Sequence, residues 1–432
     1  MTALAFDEID KPSLGIIRDC VHCGFCLTAC PTYLETGNEV DSPRGRIYLI
    51  KSAIEGRIPM GEALVRHLDL CLGCLACETA CPSGVDYSQL IEASRSQIER
   101  RYKRPFGDRF YRSILFSIFP YPKRLRLLLP FLFLYQAAGI RRLVQSSGIL
   151  HRLSIRLAHM AGMLPEIKSA FRPSLPSLTP SKGKRRFRVA LLTGCVQSVL
   201  FPEVNEATVR VLAENGCEVV IPQGQGCCGA LSLHSGRLSE SREFARSNIE
   251  VFENPDFDVI IVNSAGCGSA MKEYGEILKR DSRYAERGEK LGKKVKDIME
   301  FLSDIGIQGE LKELKLRVTY QDACHIVHAQ RIKTHPRKII NQIPGIEFIE
   351  LPESDICCGS AGIYNLVEPE MSEKLLKRKI SRLKETEADV LVAGNPGCLL
   401  QIGMGIRGYG LNIKTAHPVE LLDWAYRGSV VR

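Results

Sequence analysis

Eight cysteines near the start of the chain fall into two copies of one run, and no other feature constrains the fold as strongly. Cys20, Cys23, Cys26 and Cys30 precede Pro31, and Cys71, Cys74, Cys77 and Cys81 precede Pro82. Both runs read C-x2-C-x2-C-x3-C-P, the spacing that holds [4Fe–4S] cubanes in bacterial two-cluster ferredoxins. Three thiolates two residues apart on a tight turn converge on three corners of one cube. The fourth, at the start of a helix, points away and ligates the other cube. This spacing assigns Cys20, Cys23, Cys26 and Cys81 to one cluster, and Cys71, Cys74, Cys77 and Cys30 to a second. Zinc usually takes two separated C-x2-C pairs, not four cysteines in one run. Gly24, Gly73 and Ala76 leave room for backbone N–H groups to approach cluster sulfurs. His22 and His67, beside the runs, read as solvated or packed side chains.

The chain has 432 residues and 17 cysteines in all. At about 150 residues per domain, that length corresponds to roughly three domains. The opening residues MTALAFDEID lack a charged segment followed by an apolar one, so the expected compartment is the reducing cytoplasm. There, thiols serve metal or redox chemistry rather than a disulfide framework. No apolar run reaches the roughly 20 residues that cross a bilayer.

The remaining nine cysteines all lie beyond residue 190. Cys195, the pair Cys227-Cys228 before Gly229, and Cys267 form one set; Cys324, the pair Cys357-Cys358 before Gly359, and Cys398 form another. Corresponding members are 129, 130, 130 and 131 positions apart, which is a tandem duplication with hardly an insertion. Cys217 stands outside the pattern and reads as a buried structural thiol. β-like runs precede each first cysteine, each CCG and each last cysteine, with helical periodicity between them. That alternation predicts parallel α/β layers with the cysteines on loops at strand ends. The glycine of CCG permits a positive φ that turns both sulfurs toward one centre. Four thiols per repeat can hold a cluster, hold zinc or cycle through a disulfide. His325 and His328, which follow Cys324 where repeat one has Val196 and Ser198, are candidate proton donors or ligands in repeat two alone.

With CVHCGFCLTACPTY at 20–33, DSPRGRIYLIK at 41–51, HLDLCLGCLACETACPSGV at 67–85, GCCGA at 226–230, AGCGSAMKEYG at 265–275, HAQ at 328–330 and CCGSAGIY at 357–364, the sequence resembles the iron–sulfur subunit of glycolate dehydrogenase (glycolate oxidase). That family sits within a wider group with CCG domains that includes the heterodisulfide reductases. The resemblance spans nearly the whole chain. It implies that this polypeptide has no catalytic residue for substrate oxidation. FAD would sit on partner subunits that oxidise glycolate to glyoxylate, and this chain would carry electrons toward a quinone-type acceptor at the membrane. Subunits of lactate or anaerobic glycerol-3-phosphate dehydrogenases, and a CCG-type thiol–disulfide reductase, are the alternatives. Repeats of the heterodisulfide reductases end C-x2-C, whereas Ser264 and Asn395 stand three positions before Cys267 and Cys398. A noncubane cluster needing five thiolates per repeat is therefore in doubt.

The formal net charge of +9 is not evenly spread. Residues 100–188 hold 20 Lys and Arg against two acids, Asp108 and Glu166, so this strip is +18 and the remainder −9. Within it, FYRSILFSIFPYP and LRLLLPFLFLYQAAGIRRL interleave basic and apolar residues, as suits a segment lying on an anionic membrane or against a partner. No recognition motif for nucleic acid accompanies the strip, and none is expected to bind. Ser169–Gly183, with Pro173, Pro176 and Pro180, reads as a linker. Gly403, Gly405 and Gly408 form a G-x-G-x-x-G without the strand–turn–helix context of a dinucleotide site; Tyr409–Thr415 after it read as a strand, so a glycine-rich turn is expected there. The expected class is α+β multidomain. Residues 1–105 form a helical ferredoxin-like domain with two [4Fe–4S] clusters, and 106–184 a basic amphipathic connector. Residues 185–315 and 316–432 form a duplicated α/β CCG domain whose eight cysteines are candidate ligands of further clusters. The expected location is cytoplasmic, peripheral on the inner face of the cell membrane.

Overall fold

Short runs of consecutive apolar residues, buried on both faces, set the architecture of the C-terminal half. The computed structural model describes residues 5–167, 169 and 174–430. Strands β1 (Leu178–Thr179), β2 (Phe187–Leu192), β3 (Cys217–Val220), β4 (Val259–Val262) and β5 (Val295–Asp297) form one sheet in the order β1-β3-β2-β4-β5. Strands β6 (Leu316–Gln321), β7 (Ile346–Ile349), β8 (Val390–Ala393) and β9 (Lys414–Ala416) form a second in the order β7-β6-β8-β9. Every pairing is parallel except β1 on β3. Apart from that added edge strand the two orders are the same, so the duplication read from the cysteines is a duplication of fold. Crossovers diverge from β2 and from β6, and sheets of this kind keep their ligand crevices at the carboxyl ends of those strands.

Both faces of each sheet are covered. Val189, Leu191 and Ile261 of the first sheet and Val318, Tyr320 and Val392 of the second share one core with the helices Pro202–Glu214, Ile298–Ile305, Thr334–Ile340 and Pro418–Arg427. Alternate residues of the first sheet, Ala190, Leu192, Ile260 and Val262, bury against the Leu238–Phe252 helix. Leu391 and Ala393 of the second bury against Pro369–Thr386 and Pro396–Gly408. Shared burial between the sheets fixes the two repeats relative to each other.

The N-terminal part is helical. Pro43–Ile54, Glu62–Asp69 and Tyr87–Arg101 enclose a core of Ile47, Ile50, Leu68, Leu90, Ile91 and Ile98, while the one-turn helices Phe25–Thr28 and Ala76–Thr79 lie inside the cysteine runs. Five helices follow in the basic strip: Phe106–Ile118, Pro122–Ala137, Ile140–Ser146, Ile149–Leu153 and Ile155–Met163. They dock on repeat two through Leu115, Phe116 and Met163 against Ile363 and Leu366. Among the described residues no helix is long and apolar enough to cross a membrane.

Four details differ from the sequence reading. Cys30 opens the Pro31–Thr36 helix as expected, but Cys81-Pro82 leads only into a turn, because Gly84 at a φ of 64° breaks the chain before the next helix. The stretch read as a linker contributes edge strand β1 through Leu178 and Thr179; Pro173 lies outside the described residues. The G-x-G-x-x-G is no turn. It lies inside the Pro396–Gly408 helix, where a Cβ on Gly405 would stand 2.7 Å from Ile380 Cγ1, so the small residue serves close helix packing. The strand read at 409–415 is confined to Lys414–Ala416.

Candidate iron–sulfur and thiol sites

The two N-terminal runs fold over each other and interleave their cysteines. Cys20, Cys23, Cys26 and Cys81 line one small cavity, and Cys30, Cys71, Cys74 and Cys77 line a second; Cys77 also borders the first. Their surroundings differ. Cys23 is exposed, whereas Cys30, Cys71, Cys74 and Cys77 are all buried. Gly73 N–H points at Cys71 Sγ at 3.4 Å, and Tyr87 donates its hydroxyl to the same sulfur at 3.7 Å.

Beside the second set sits a guanidinium that cysteine spacing does not single out. Arg46 is 1% exposed. It donates from Nε to His67 O at 2.7 Å, from Nη2 to Thr32 Oγ1 at 3.0 Å, and approaches Cys30 Sγ with Nη1 at 4.0 Å. Among the described residues it has no carboxylate within ion-pair distance; Asp41 is taken by His67 Nδ1 at 2.6 Å. A buried cation without an anion is costly. An anionic thiolate-bound cluster supplies the missing counter-charge, so these residues fit such a group. Burial alone would raise the Cys71 thiol, yet the charges of Arg46 and Arg95 bring it below the ordinary thiol range. Burial pushes Cys74 and Cys77 well above it.

In the C-terminal half each repeat gathers its four thiols at the strand ends. Cys195 follows β2, Cys227 and Cys228 follow β3, and Cys267 lies in the first turn of the Ala265–Lys272 helix after β4. Repeat two places Cys324, Cys357, Cys358 and Cys398 in the same way. Cys195 Sγ lies 3.5 Å from Cys227 Sγ. Hydrogen bonds from Cys227 and Cys267 hold Cys228 well below the ordinary thiol range, and those from Cys357 and Cys398 do the same for Cys358. The second cysteine of each CCG is thus the hydrogen-bonded centre of its set, and its neighbours are pushed up in return. In repeat two the ammonium of buried Lys379 faces this centre, and burial draws it down to about 8. Zinc requires all its ligands about 2.3 Å from one point. Among the described residues no three His, Cys, Asp or Glu side chains converge in that manner. The positions where a fifth thiolate is missing meet across the repeats, Ser264 Oγ donating to Asn395 Oδ1 at 3.4 Å.

All eight of these cysteines border one cavity of about 210 Å³ that also reaches Leu72, Arg95, Arg112 and Phe119. Cys74 and Leu72 of the N-terminal part pack in one apolar cluster with Cys357 and Tyr364, with Cys324 against it. Repeat two is latched there by hydrogen bonds. His325 Nε2 donates to Gly73 O at 3.0 Å, Tyr364 donates to Leu70 O at 3.0 Å, and Thr79 donates to His328 Nδ1 at 2.9 Å while His328 Nε2 bonds Asp355 O at 3.1 Å. With both ring nitrogens engaged, His328 has none left for a metal, so its part is to join the halves. Repeat one meets the N-terminal part through Arg95 on His234 O at 2.7 Å and His234 Nδ1 on Glu92 at 3.0 Å. Cys217 is fully buried in β3, where burial pushes its thiol up to about 12, consistent with a packing role.

Comparison with known proteins decides the family. A 4Fe-4S dicluster domain matches residues 16–85, a cysteine-rich domain matches 189–272 and 318–403, and the linker region of the glycolate oxidase iron-sulfur subunit matches 107–164. A probable glycolate oxidase iron-sulfur subunit of Bacillus subtilis is 42% identical over 415 residues, covering 94% of each chain. The glycolate oxidase iron-sulfur subunit of Escherichia coli is 34% identical over 95% of this chain and 94% of its own length. The chain belongs to the family of glycolate oxidase iron–sulfur subunits. Lactate utilization protein A of Oceanobacillus iheyensis is similar over a shorter stretch, 34% identical across 56% of this chain and 99% of its own. The two cysteine runs lie within the dicluster match, and the CCG cysteines within the two cysteine-rich matches. Arg46, Arg95 and Lys379 fall outside what spacing reveals. Arg46 lies within DSPRGR, and Lys379 nearly three turns into the Pro369–Thr386 helix, at about 3.6 residues per turn.

The CCG turn makes a local prediction. Gly359 has a φ of 89°, and a Cβ there would lie 2.8 Å from Ser372 O; Gly229, at 85°, would meet Ser241 Oγ at 3.0 Å. Alanine at Gly359 is expected to cost about 2 kcal/mol through backbone strain, read as a lower urea midpoint. An unchanged midpoint would show that the turn relaxes freely.

Proposed function

We propose that this chain is the electron-transfer subunit of a membrane-associated glycolate dehydrogenase. FAD-binding partner subunits oxidise glycolate to glyoxylate, and the chain takes their electrons toward a quinone-type acceptor. The observation that carries this reading is the packing of Cys74 against Cys324 and Cys357, which sets the ferredoxin-type half beside the CCG half with no third module between them. When bound, [4Fe–4S] clusters supply one-electron chemistry. Cys20, Cys23, Cys26 and Cys81 hold one and Cys30, Cys71, Cys74 and Cys77 the other. The four thiols of each CCG repeat hold further clusters.

The connector is the part that meets the membrane, from the cytoplasmic side. Its helices turn Phe106 (80% exposed), Phe110, Leu127, Phe131 (72% exposed) and Leu134 outward. Arg109, Lys123, Arg124 and Arg126 lie among them, and basic residues beside exposed Phe and Leu suit an anionic interface.

The likeness to lactate utilization protein A over 56% of the chain favours lactate as the second substrate to try. The test is to purify the chain with whatever accompanies it and add glycolate, D-lactate or glycerol 3-phosphate without oxygen. A flavoprotein is expected to co-purify, and glycolate to bleach the iron–sulfur absorbance. Bleaching by D-lactate or glycerol 3-phosphate alone would move the assignment to that substrate. No flavoprotein and no bleaching would refute it.

A further inference from the structure

The two N-terminal sites are built with opposite electrostatics. At the Cys30, Cys71, Cys74, Cys77 site the buried Arg46 has, among the described residues, no carboxylate within ion-pair distance; Cys71 and Cys30 act on its charge ahead of Asp41. Arg95, on the far side of Cys71, donates to Cys71 O and Leu68 O. Gly73 N–H and Tyr87 O–H add two donors to Cys71 Sγ. Among the described residues, Arg44 is the one guanidinium that lines the Cys20, Cys23, Cys26, Cys81 site. That guanidinium is partly exposed, is neutralised by Glu39 at 2.5 Å, and spends Nη1 on His22 O at 3.0 Å.

We infer that Arg46 is the charge that gives the Cys30, Cys71, Cys74, Cys77 cluster a higher reduction potential than its partner, making it the electron-accepting member of the pair. Reduction adds one negative charge to a cluster. An unpaired cation in a low-dielectric surround stabilises that added charge strongly, while an exposed, carboxylate-paired one is screened. Hydrogen bonds to cluster sulfurs act in the same direction. Burial by itself opposes this, because it disfavours the more charged reduced state. The unpaired guanidinium, buried within 4.0 Å of Cys30 Sγ, is what overcomes that penalty. In the step concerned, the Cys20, Cys23, Cys26, Cys81 cluster is oxidised by one electron and the other cluster reduced by one; no bond or proton changes. The accepting cluster is also the one beside Cys324 and Cys357, so the bias runs toward the CCG half.

This rests on the cluster assignment proposed above, and the test separates the two. Anaerobic redox titration of the intact complex, followed by electron paramagnetic resonance, should resolve two one-electron cubane signals with different midpoints. In Arg46→Gln the higher midpoint should fall by at least 59 mV, a tenfold change in the one-electron equilibrium, with the lower one unmoved. Arg46→Lys, which keeps the charge without the fork of donors, should restore most of the shift, and Arg44→Gln should move neither by as much. Equal midpoints in the unaltered protein would overturn the inference even if Arg46→Gln failed to fold. So would a fall in Arg46→Gln that Arg46→Lys does not restore, or one shared by both signals. Absence of two cubane signals would instead overturn the cluster assignment.

Discussion

Serine at Cys358 is expected to remove about four iron atoms per chain, one [4Fe–4S] equivalent, while both N-terminal cubane signals survive. Cys358 is 1% exposed and stands at the centre of its set, with hydrogen bonds from Cys357 and Cys398 converging on it. A serine hydroxyl is a hard, weakly acidic ligand and does not replace a thiolate on iron. Cys228→Ser should do the same in repeat one, where Cys227 and Cys267 converge on Cys228. The unaltered chain should then carry roughly sixteen iron atoms, against roughly eight if only the two N-terminal sites are filled. Cys217→Ser is the control. Its thiol is buried in the strand core, away from both sets, and iron content should not change. A total near eight, unaffected by either CCG variant, would leave those thiols to zinc or to disulfide chemistry. Inductively coupled plasma analysis with acid-labile sulfide decides between the outcomes.

The parts of this architecture that were legible in the sequence share a cause. Covalent spacing or strict periodicity encodes them locally. C-x2-C-x2-C-x3-C-P can be recognised because three of its ligands lie within seven residues, and the CCG duplication because four landmarks recur about 130 positions apart. Short apolar runs before the cysteine landmarks marked β2, β4, β6 and β8, since buried parallel strands must be apolar on both faces. What the sequence hid is long-range. Arg46 becomes special only because folding buries it with no carboxylate, among the described residues, within ion-pair distance. His328 looked like a ligand because it follows Cys324 closely, yet the fold spends both its nitrogens between Thr79 and Asp355. The G-x-G-x-x-G misled in the other direction. Glycine spacing resembles a phosphate loop, but Gly405 is small because Ile380 of the neighbouring helix packs on it.

Arg337→Met is expected to destabilise the chain by about 3–5 kcal/mol, the cost of stranding a buried carboxylate. Asp322 follows β6 and is 0% exposed. It accepts two hydrogen bonds from Arg337, at 2.9 and 2.8 Å, and a third from Ser354 Oγ at 2.7 Å. Asp322 precedes Cys324 by two residues and Ser354 precedes Cys357 by three, so this one carboxylate ties together the loops that present both cysteines. Removing the guanidinium also frees Glu350, but that side chain is exposed and its loss counts for little. Repeat one closes the corresponding loops without charge, with Thr193 N–H and Oγ1 donating to Gln225 Oε1 at 2.8 and 3.1 Å. Thr193→Ala loses one neutral hydrogen bond there and should cost only about 1 kcal/mol. The double variant Asp322→Asn, Arg337→Met should recover much of the single variant's loss, because the stranded charge is gone. Urea unfolding of the three variants measures the energies, and iron content reports whether repeat two alone has lost its site. If Arg337→Met and Thr193→Ala cost the same, the ion pair adds nothing beyond a neutral bond. The two repeats would then differ in sequence here without differing in how firmly they hold their cysteines.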